Sequence, residues 1–382
     1  MKYRLTCLTP TLVGDGQKLA PIDYMVWKDQ VNVLDQNRIF RLLARGPRLE
    51  GYLGQLKKAE KLEFASWGGF AQNYAGRRIP FEHASSTPVY DRARAENLFI
   101  PVFASGPRGP YLPASALKGA FRTAIVNTRA SAQVLKDAAA KLGPDGRGMR
   151  QVGNAVEDAA LGPGGSNAMR QISLADSAIV PQTSFRIYLL RVSTLEPRGA
   201  GKYELGWKQA PRGSSKRAED GTPMFAEMAV PGTTFEGEWH EVGFLSQPEI
   251  ARALRANHRP DVPKMFAAAN AYAERLLAIQ KNYADMSGMS ILKASMAKLE
   301  ARLAEVRESG NRCVLPIGWG AGLLSKVAFL DTREEAYQDI LKQLPYYARA
   351  IQSNLPFPKT RRVVFMDNQP ATLPGFVELE VG

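Results

Sequence analysis

Three short stretches carry residue types that could hold a phosphate. In LPASALKGAFRTAI, Leu112 to Ile125, a turn-forming run leads into a helix that reads as capped by Ser115. Leu117, Ala120, Phe121, Ala124 and Ile125 recur at i, i+3, i+4, i+7 and i+8, one apolar face, which leaves Ser115, Lys118 and Arg122 along another. A capping hydroxyl, the unpaired amides of a helix start and two cations one turn apart suit a phosphate. Gly119 costs the helix about 1 kcal/mol relative to alanine, which points to something approaching the backbone closely. A capped surface helix with two solvated cations fits the same residues. The Lys-Gly order and the upstream glycine spacing are not those of a P-loop, which argues against a nucleotide triphosphatase.

The second stretch is Gly318-Trp319-Gly320-Ala321-Gly322, after the apolar run RCVLPI and before Lys326. Alternate glycines let backbone N–H groups face phosphate oxygens, and Trp319 offers a face on which a base could stack. A dinucleotide fingerprint would need a further glycine where Leu323 stands. A tight strand connection around a core tryptophan is the other reading. The third stretch, Arg198 to Arg217, holds six basic residues and one acidic one, Glu204, together with Tyr203, Trp207 and Lys208. A hairpin of this kind could insert between bases and hold phosphates, and an exposed loop is the alternative.

Catalytic chemistry has little support. His83, His240 and His258 are scattered without metal-ligand spacing, and Asp23 beside Tyr24 reads as a turn carboxylate that could act on RNA only if it faced a bound backbone. Nothing in the sequence calls for a cofactor or a metal.

The chain of 382 residues is 45% hydrophobic, with 50 Lys and Arg against 37 Asp and Glu, a formal charge of +13. That balance favours a polyanionic partner, nucleic acid first and an anionic membrane surface second. Cys7 and Cys313 each lie in an apolar run without a near partner, so they read as buried thiols of a reducing cytosol. Arg4 and Pro10 interrupt residues 1–13, which do not look like a signal peptide, and no apolar run is long enough to span a bilayer. A cytoplasmic location without membrane contact is expected.

Several elements must position these stretches. Strand patterns fall at 2–9, at 23–35 as two short strands, at 171–195 as a hairpin, at 225–244 around a Pro231-Gly232 turn, and in the closing runs PKTRRVVFM and PGFVELEV. Helices are expected after Asp35 as N-cap, near 50–62, from Ser115 to about Thr128, over SAQVLKDAAAKL, through 248–308 and near 333–350. KLEARLAEVRE reads as a solvated helical face. Residues 48–99 look like an irregular insertion packed on a core. Strands and helices mixed without βαβ regularity predict an α+β fold.

In this order, these residues resemble the RAMP superfamily of CRISPR-associated proteins, which bind guide RNA through modified ferredoxin-like (RRM-like) domains. The first strand and TPTLVGDG are similar to the family's glycine-rich opening, LPASALKGAFRTA to its IPGSSLKGAIRTA helix, and LPIGWGAGLLSKV to its C-terminal glycine-rich loop. More narrowly, APIDYMVWKDQVNVLDQNRIFRLL, VPGTTFEGEW and PKTRRVV are similar to the type III-A (Csm) subunit that caps the crRNA 3′ end. Pro113-Ala114-Ser115-Ala116 departs from the family's Pro-Gly-Ser-Ser, while Ser115, Lys118, Gly119 and Arg122 match.

The resemblance implies a RAMP fold with helical insertions and a second, partial RRM-like half. Residues 1–195 would form the first half, with an insertion at 48–99; residues 196–222 a basic thumb-like hairpin; and residues 223–382 the second half. It implies a non-catalytic crRNA-binding subunit supporting crRNA maturation and antiviral defence, with RNA contacts from Ser115, Lys118, Gly119, Arg122, Gly318, Trp319, Gly320, Gly322, Lys326, Trp207 and Lys208. The implied partners are crRNA, target RNA, a neighbouring RAMP filament subunit and a small helical subunit, with recruitment of a host trimming nuclease left open. Backbone RAMP subunits cleave target RNA with a loop aspartate, and Asp23 lies near the comparable region. A RAMP endoribonuclease acting on precursor crRNA or target RNA is therefore the alternative.

Overall fold

The computed structural model describes residues 1–44, 46, 48–58, 73–143, 148–199, 202–254, 261–352 and 356–382. Its strands form two principal antiparallel sheets within an α+β fold. In the first, β1 (Lys2–Cys7) lies between β14 (Thr234–Glu241) and β18 (Phe376–Val381), with β9 (Ile172–Leu174) and β15 (Arg312–Pro316) at the edges. The period-two pattern of β1 buries Tyr3, Leu5 and Cys7 and exposes Lys2 and Arg4. The second sheet is built on β10 (Phe185–Gly199). Its first half pairs with β13 (Met224–Ala229), its second half with β11 (Lys202–Lys208), and its other edge with β16 (Thr360–Met366). β12 (Ser214–Ser215) and β17 (Gln369–Thr372) complete it. Both sheets take strands from either side of the basic hairpin.

The expected 171–195 hairpin does not form: β9 pairs with β14 while β10 enters the other sheet. The strands around Pro231-Gly232 likewise part, β13 to the second sheet and β14 to the first. Gly232 makes that turn with φ 88° and donates its N–H to the Cys7 carbonyl at 2.7 Å.

The helix α4 (Ala114–Arg129) packs on the first sheet through its apolar face. Phe121 stacks at 5.6 Å on Phe266 and meets Trp239 of β14 edge-on at 5.5 Å, burial worth about 1.5–3 kcal/mol per large side chain. Phe266 belongs to α8 (Val262–Ser287), which Gly288 ends in a left-handed conformation before α9 (Ser290–Arg307) begins. With α7 (Pro248–Ala253), the expected helical region over 248–308 is formed, among the described residues, by three helices. KLEARLAEVRE is only half solvated, because Leu299, Leu303 and Val306 are buried and Arg302 forks onto Glu378 at 2.7 and 3.0 Å.

A three-stranded sheet of β3 (Tyr24–Trp27), β4 (Gln30–Leu34) and β5 (Ala75–Pro80) carries α1 (Gln36–Leu43) and α2 (Arg48–Lys58) over a small core of Met25, Leu34, Ile39, Leu43 and Tyr52. Asp35 caps α1 as expected, accepting the Arg38 amide at 2.9 Å. Phe64, Trp67 and Phe70 lie outside the described residues. In the same part of the chain, α3 (Ser86–Arg92) stands beside the second sheet through Tyr90, which meets Phe225 of β13 at 5.7 Å. The helix over SAQVLKDAAAKL forms as α5 (Ala132–Ala140), and α6 (Met149–Leu161) is a helix the sequence did not announce. Pro345 splits the expected 333–350 helix into α10 (Glu335–Lys342) and α11 (Pro345–Gln352). Two-residue ribbons join β2 (Lys18–Leu19) to β6 (Ile100–Pro101) and β7 (Ser105–Gly106) to β8 (Gly109–Pro110).

Candidate nucleic-acid interface

Three segments distant in sequence, with Pro101 and Val102 paired beside the first of them, converge on one groove of about 480 Å³. The loop after β1, Leu12 to Lys18, forms one wall, the exposed face of α4 the second, and Pro316 to Trp319 with Ser325 and Lys326 the third. Lys18, Arg122 and Lys326 all line it, and among the described residues no Asp or Glu does, so the groove is a positive surface matched to phosphate. Lys18 and Lys326 are exposed and form no ion pair among the described residues, while Arg122 stands 3.5 Å from Glu157 of α6.

Backbone contacts fix the walls to each other. The Trp319 amide donates to the Leu12 carbonyl at 2.7 Å, Ile317 to Gly375 at 2.7 Å, and Gly375 to Pro10 at 3.0 Å. Gly318 has φ 81°, and any Cβ there would overlap the Leu12 carbonyl oxygen. Close approach of two backbones, rather than ligand contact, therefore requires this glycine. Gly320 has φ 87° beside Pro374, and Gly322 has φ 86° in open space. The Trp319 amide is committed within the fold, whereas those of Gly320 and Gly322 have no backbone partner among the described residues.

Trp319 lines the groove half-buried, with the Arg362 guanidinium 5.1 Å over its ring. One face is thus covered by a cation whose pKa burial lowers. No neighbouring atom stands within 4 Å of the place a side chain would take at Gly119, so it forms an open floor on which a ligand could lie.

Two features of the helix differ from expectation. Its N-cap is Pro113, not Ser115, and Asp176 supplies the capping oxygen by accepting the Ala114 amide at 2.8 Å. A resident carboxylate therefore occupies the helix start, and Ser115 faces the groove from the first turn. Lys118 turns away from the groove. Its Nζ donates to the Ile172 carbonyl of β9 at 2.8 Å, and burial pushes its pKa below the ordinary lysine value. Ser115, Gly119 and Arg122 share the groove; Lys118 does not.

The basic segment forms the β10–β11 hairpin, but Trp207 points into the core, 2% exposed and edge-on to Phe365 at 5.3 Å. It has no face left for a base. Lys208 is half-buried at the end of β11, while Lys216 pairs with Glu204 at 3.2 Å and Arg217 with Glu219 at 3.5 Å. Lys18 escaped the sequence reading, although its position just after the glycine-rich turn TLVGDGQ could have drawn notice.

Asp23 is a turn carboxylate: one oxygen accepts the Ala20 amide at 2.7 Å and the other the Gln36 side chain at 2.9 Å. His83 lies 3.0 Å from Asp367 and His240 3.0 Å from Glu238, and His258 lies outside the described residues. Among the described residues no group of three or more His, Cys, Asp and Glu could hold a metal ion, and no helix is long and apolar enough to cross a membrane.

A model of the RAMP superfamily matches residues 4–325 of the chain. No curated protein matches it. Among solved structures, a chain of a cryo-EM structure of a Csm–crRNA–target RNA ternary complex in a type III-A CRISPR-Cas system superposes with a TM-score of 0.63 at 20% identity, each chain covered to 100%. A crystal structure of T. onnurineus Csm5 superposes with a TM-score of 0.62 at 17% identity, covering 98% of this chain and 99% of that one. At such identities the likeness is one of fold, and it extends to both sheets and their helices. With most of its length matched by the family model, and its glycine-rich opening, α4 and glycine-rich loop gathered on one groove, the chain belongs to the RAMP superfamily.

Proposed function

We propose that this chain is a non-catalytic crRNA-binding subunit of a type III-A CRISPR ribonucleoprotein, capping the filament at the crRNA 3′ end and supporting crRNA maturation and antiviral defence in the cytoplasm. One observation carries the reading: three separate segments converge on a groove lined by Lys18, Arg122 and Lys326 and, among the described residues, by no carboxylate. Family membership and the full-length likeness to subunits of Csm complexes support it.

In this reading the three cations neutralise successive phosphates and the Gly119 floor lets the strand lie close, whereas Gly320, which is buried, and Gly322 lie outside the groove lining. Such contacts address the backbone and so tolerate any guide sequence. Target RNA, a neighbouring RAMP filament subunit and a small helical subunit complete the set of partners, and a trimming nuclease would act on the crRNA end beyond the cap.

Asp23 supports the non-catalytic assignment, since both of its oxygens are engaged in holding a turn. Incubation of the purified protein with labelled precursor crRNA and target RNA, with and without a divalent metal ion, tests it. Binding without cleavage is expected. Cleavage that Asp23→Ala abolishes would make the chain a RAMP endoribonuclease.

A further inference from the structure

A second pocket of about 480 Å³ shares no lining residue with the groove. It lies where the end of α3, the middle of β10 and the segment after β11 meet. Arg191 lies at its base, 2% exposed, with Nε donating to the Gly221 carbonyl at 3.2 Å and its guanidinium 4.8 Å over the Phe365 ring. Among the described residues no carboxylate comes within ion-pair distance of it; burial lowers its pKa, and the nearby charge of Glu219 offsets only part of that. Arg92, Arg94 and Arg212 stand around the opening, all three exposed.

Two carboxylates, Glu219 and Asp220, also line the pocket, each drawn toward Arg217 at 3.5 and 3.8 Å. Four arginines against two carboxylates leave a net positive cavity that still offers strong acceptors. Among the described residues no aromatic ring lines it. Cations for a phosphate, acceptors for hydroxyl donors and no stacking face describe a ribose-phosphate unit more closely than a base, which needs a stacking face, or an acidic peptide, whose carboxylates bring no hydroxyl donor to Glu219 and Asp220.

We propose that this pocket is a second RNA-backbone site, in which Arg191, Arg92 and Arg212 hold a phosphate and Glu219 or Asp220 accepts a hydrogen bond from a ribose 2′-hydroxyl. The proposal rests on the reading of the chain as an RNA-binding subunit, which it extends from one site to two. The 2′-hydroxyl contact would make the site prefer RNA to DNA.

The test uses the full chain and fluorescein-labelled single-stranded RNA and DNA of one sequence, with anisotropy read over a range of salt. Arg92→Ala with Arg212→Ala should weaken RNA binding about tenfold and flatten the log–log salt slope by about 0.7, the share of one phosphate. Glu219→Gln with Asp220→Asn should lower the ratio of RNA to DNA affinity. Lys18→Ala with Lys326→Ala serves as the groove control. Weakening by the groove pair alone overturns the second site and leaves the groove reading intact, whereas wild-type binding by both pairs overturns both. An arginine effect with an unchanged RNA-to-DNA ratio in the carboxylate pair overturns the 2′-hydroxyl assignment.

Discussion

The Trp319 amide donates a 2.7 Å hydrogen bond to the Leu12 carbonyl, and Gly318 presses against the same oxygen. That single junction joins the loop after the first strand to the glycine-rich loop near the other end of the chain. Two walls of the groove therefore stand or fall together.

Gly318→Ala should destabilise the protein by roughly 2–3 kcal/mol, since the residue would have to hold a positive φ and displace a backbone oxygen. Gly322→Ala, at φ 86° but with open space around it, should cost only about 1 kcal/mol. Urea denaturation of the two variants separates the cost of the conformation from that of the contact.

Gly119→Ala should have the opposite signature. Nothing obstructs a methyl group there, so the helix should gain up to about 1 kcal/mol while the groove floor rises toward the ligand. A thermal melt at or above the wild-type temperature together with weaker RNA binding would mark the floor as a contact surface.

Lys118 and Lys326 should behave as structural and binding cations respectively. Lys118→Ala removes a hydrogen bond to the Ile172 carbonyl, costing about 1 kcal/mol of stability with the RNA salt slope unchanged. Lys326→Ala should leave stability alone and flatten the slope by about 0.7. Denaturation and salt titration of both variants check the pair.

Acid should weaken the long helices. The Lys264 side chain and then its amide hold the Asp261 carboxyl below its usual 3.8, and the Arg307 hydrogen bond holds Glu274 below 4.5. Native pKa values below the unfolded ones mean stability fully present above those ordinary values and lost as pH falls through the native ones. Urea midpoints should be flat above about pH 5 and decline below it, and Asp261→Ala should cost about 1 kcal/mol at neutral pH through the lost cap.

The core of α4 was legible because helical periodicity is local: Leu117, Phe121, Ala124 and Ile125 are all buried, and only Ala120 turns partly to the groove. Asp35 was legible as a cap for the same reason. The direction of Lys118 was not, since it depends on β9 passing within reach, and neither was the Asp176 cap, which comes from a loop beyond two more helices. Trp207 misled because its neighbours in sequence are basic and loop-like, whereas the indole is buried edge-on against Phe365 of β16, a contact from far along the chain. The false 171–195 hairpin has a similar origin, as pairing partners far along the chain outbid the local one. α6 went unseen because Gly153 depresses its propensity and Gly148, its N-cap, offers no side-chain oxygen to mark the start.

The central claim is that RNA phosphates lie on Lys18, Arg122 and Lys326. Its most direct test is the salt dependence of single-stranded RNA binding by the Lys18→Ala, Arg122→Ala and Lys326→Ala triple variant, with its fold verified by circular dichroism. A salt slope lower by about 2, with affinity reduced alike for unrelated sequences, is the predicted result. A folded triple variant with wild-type affinity and slope would contradict it.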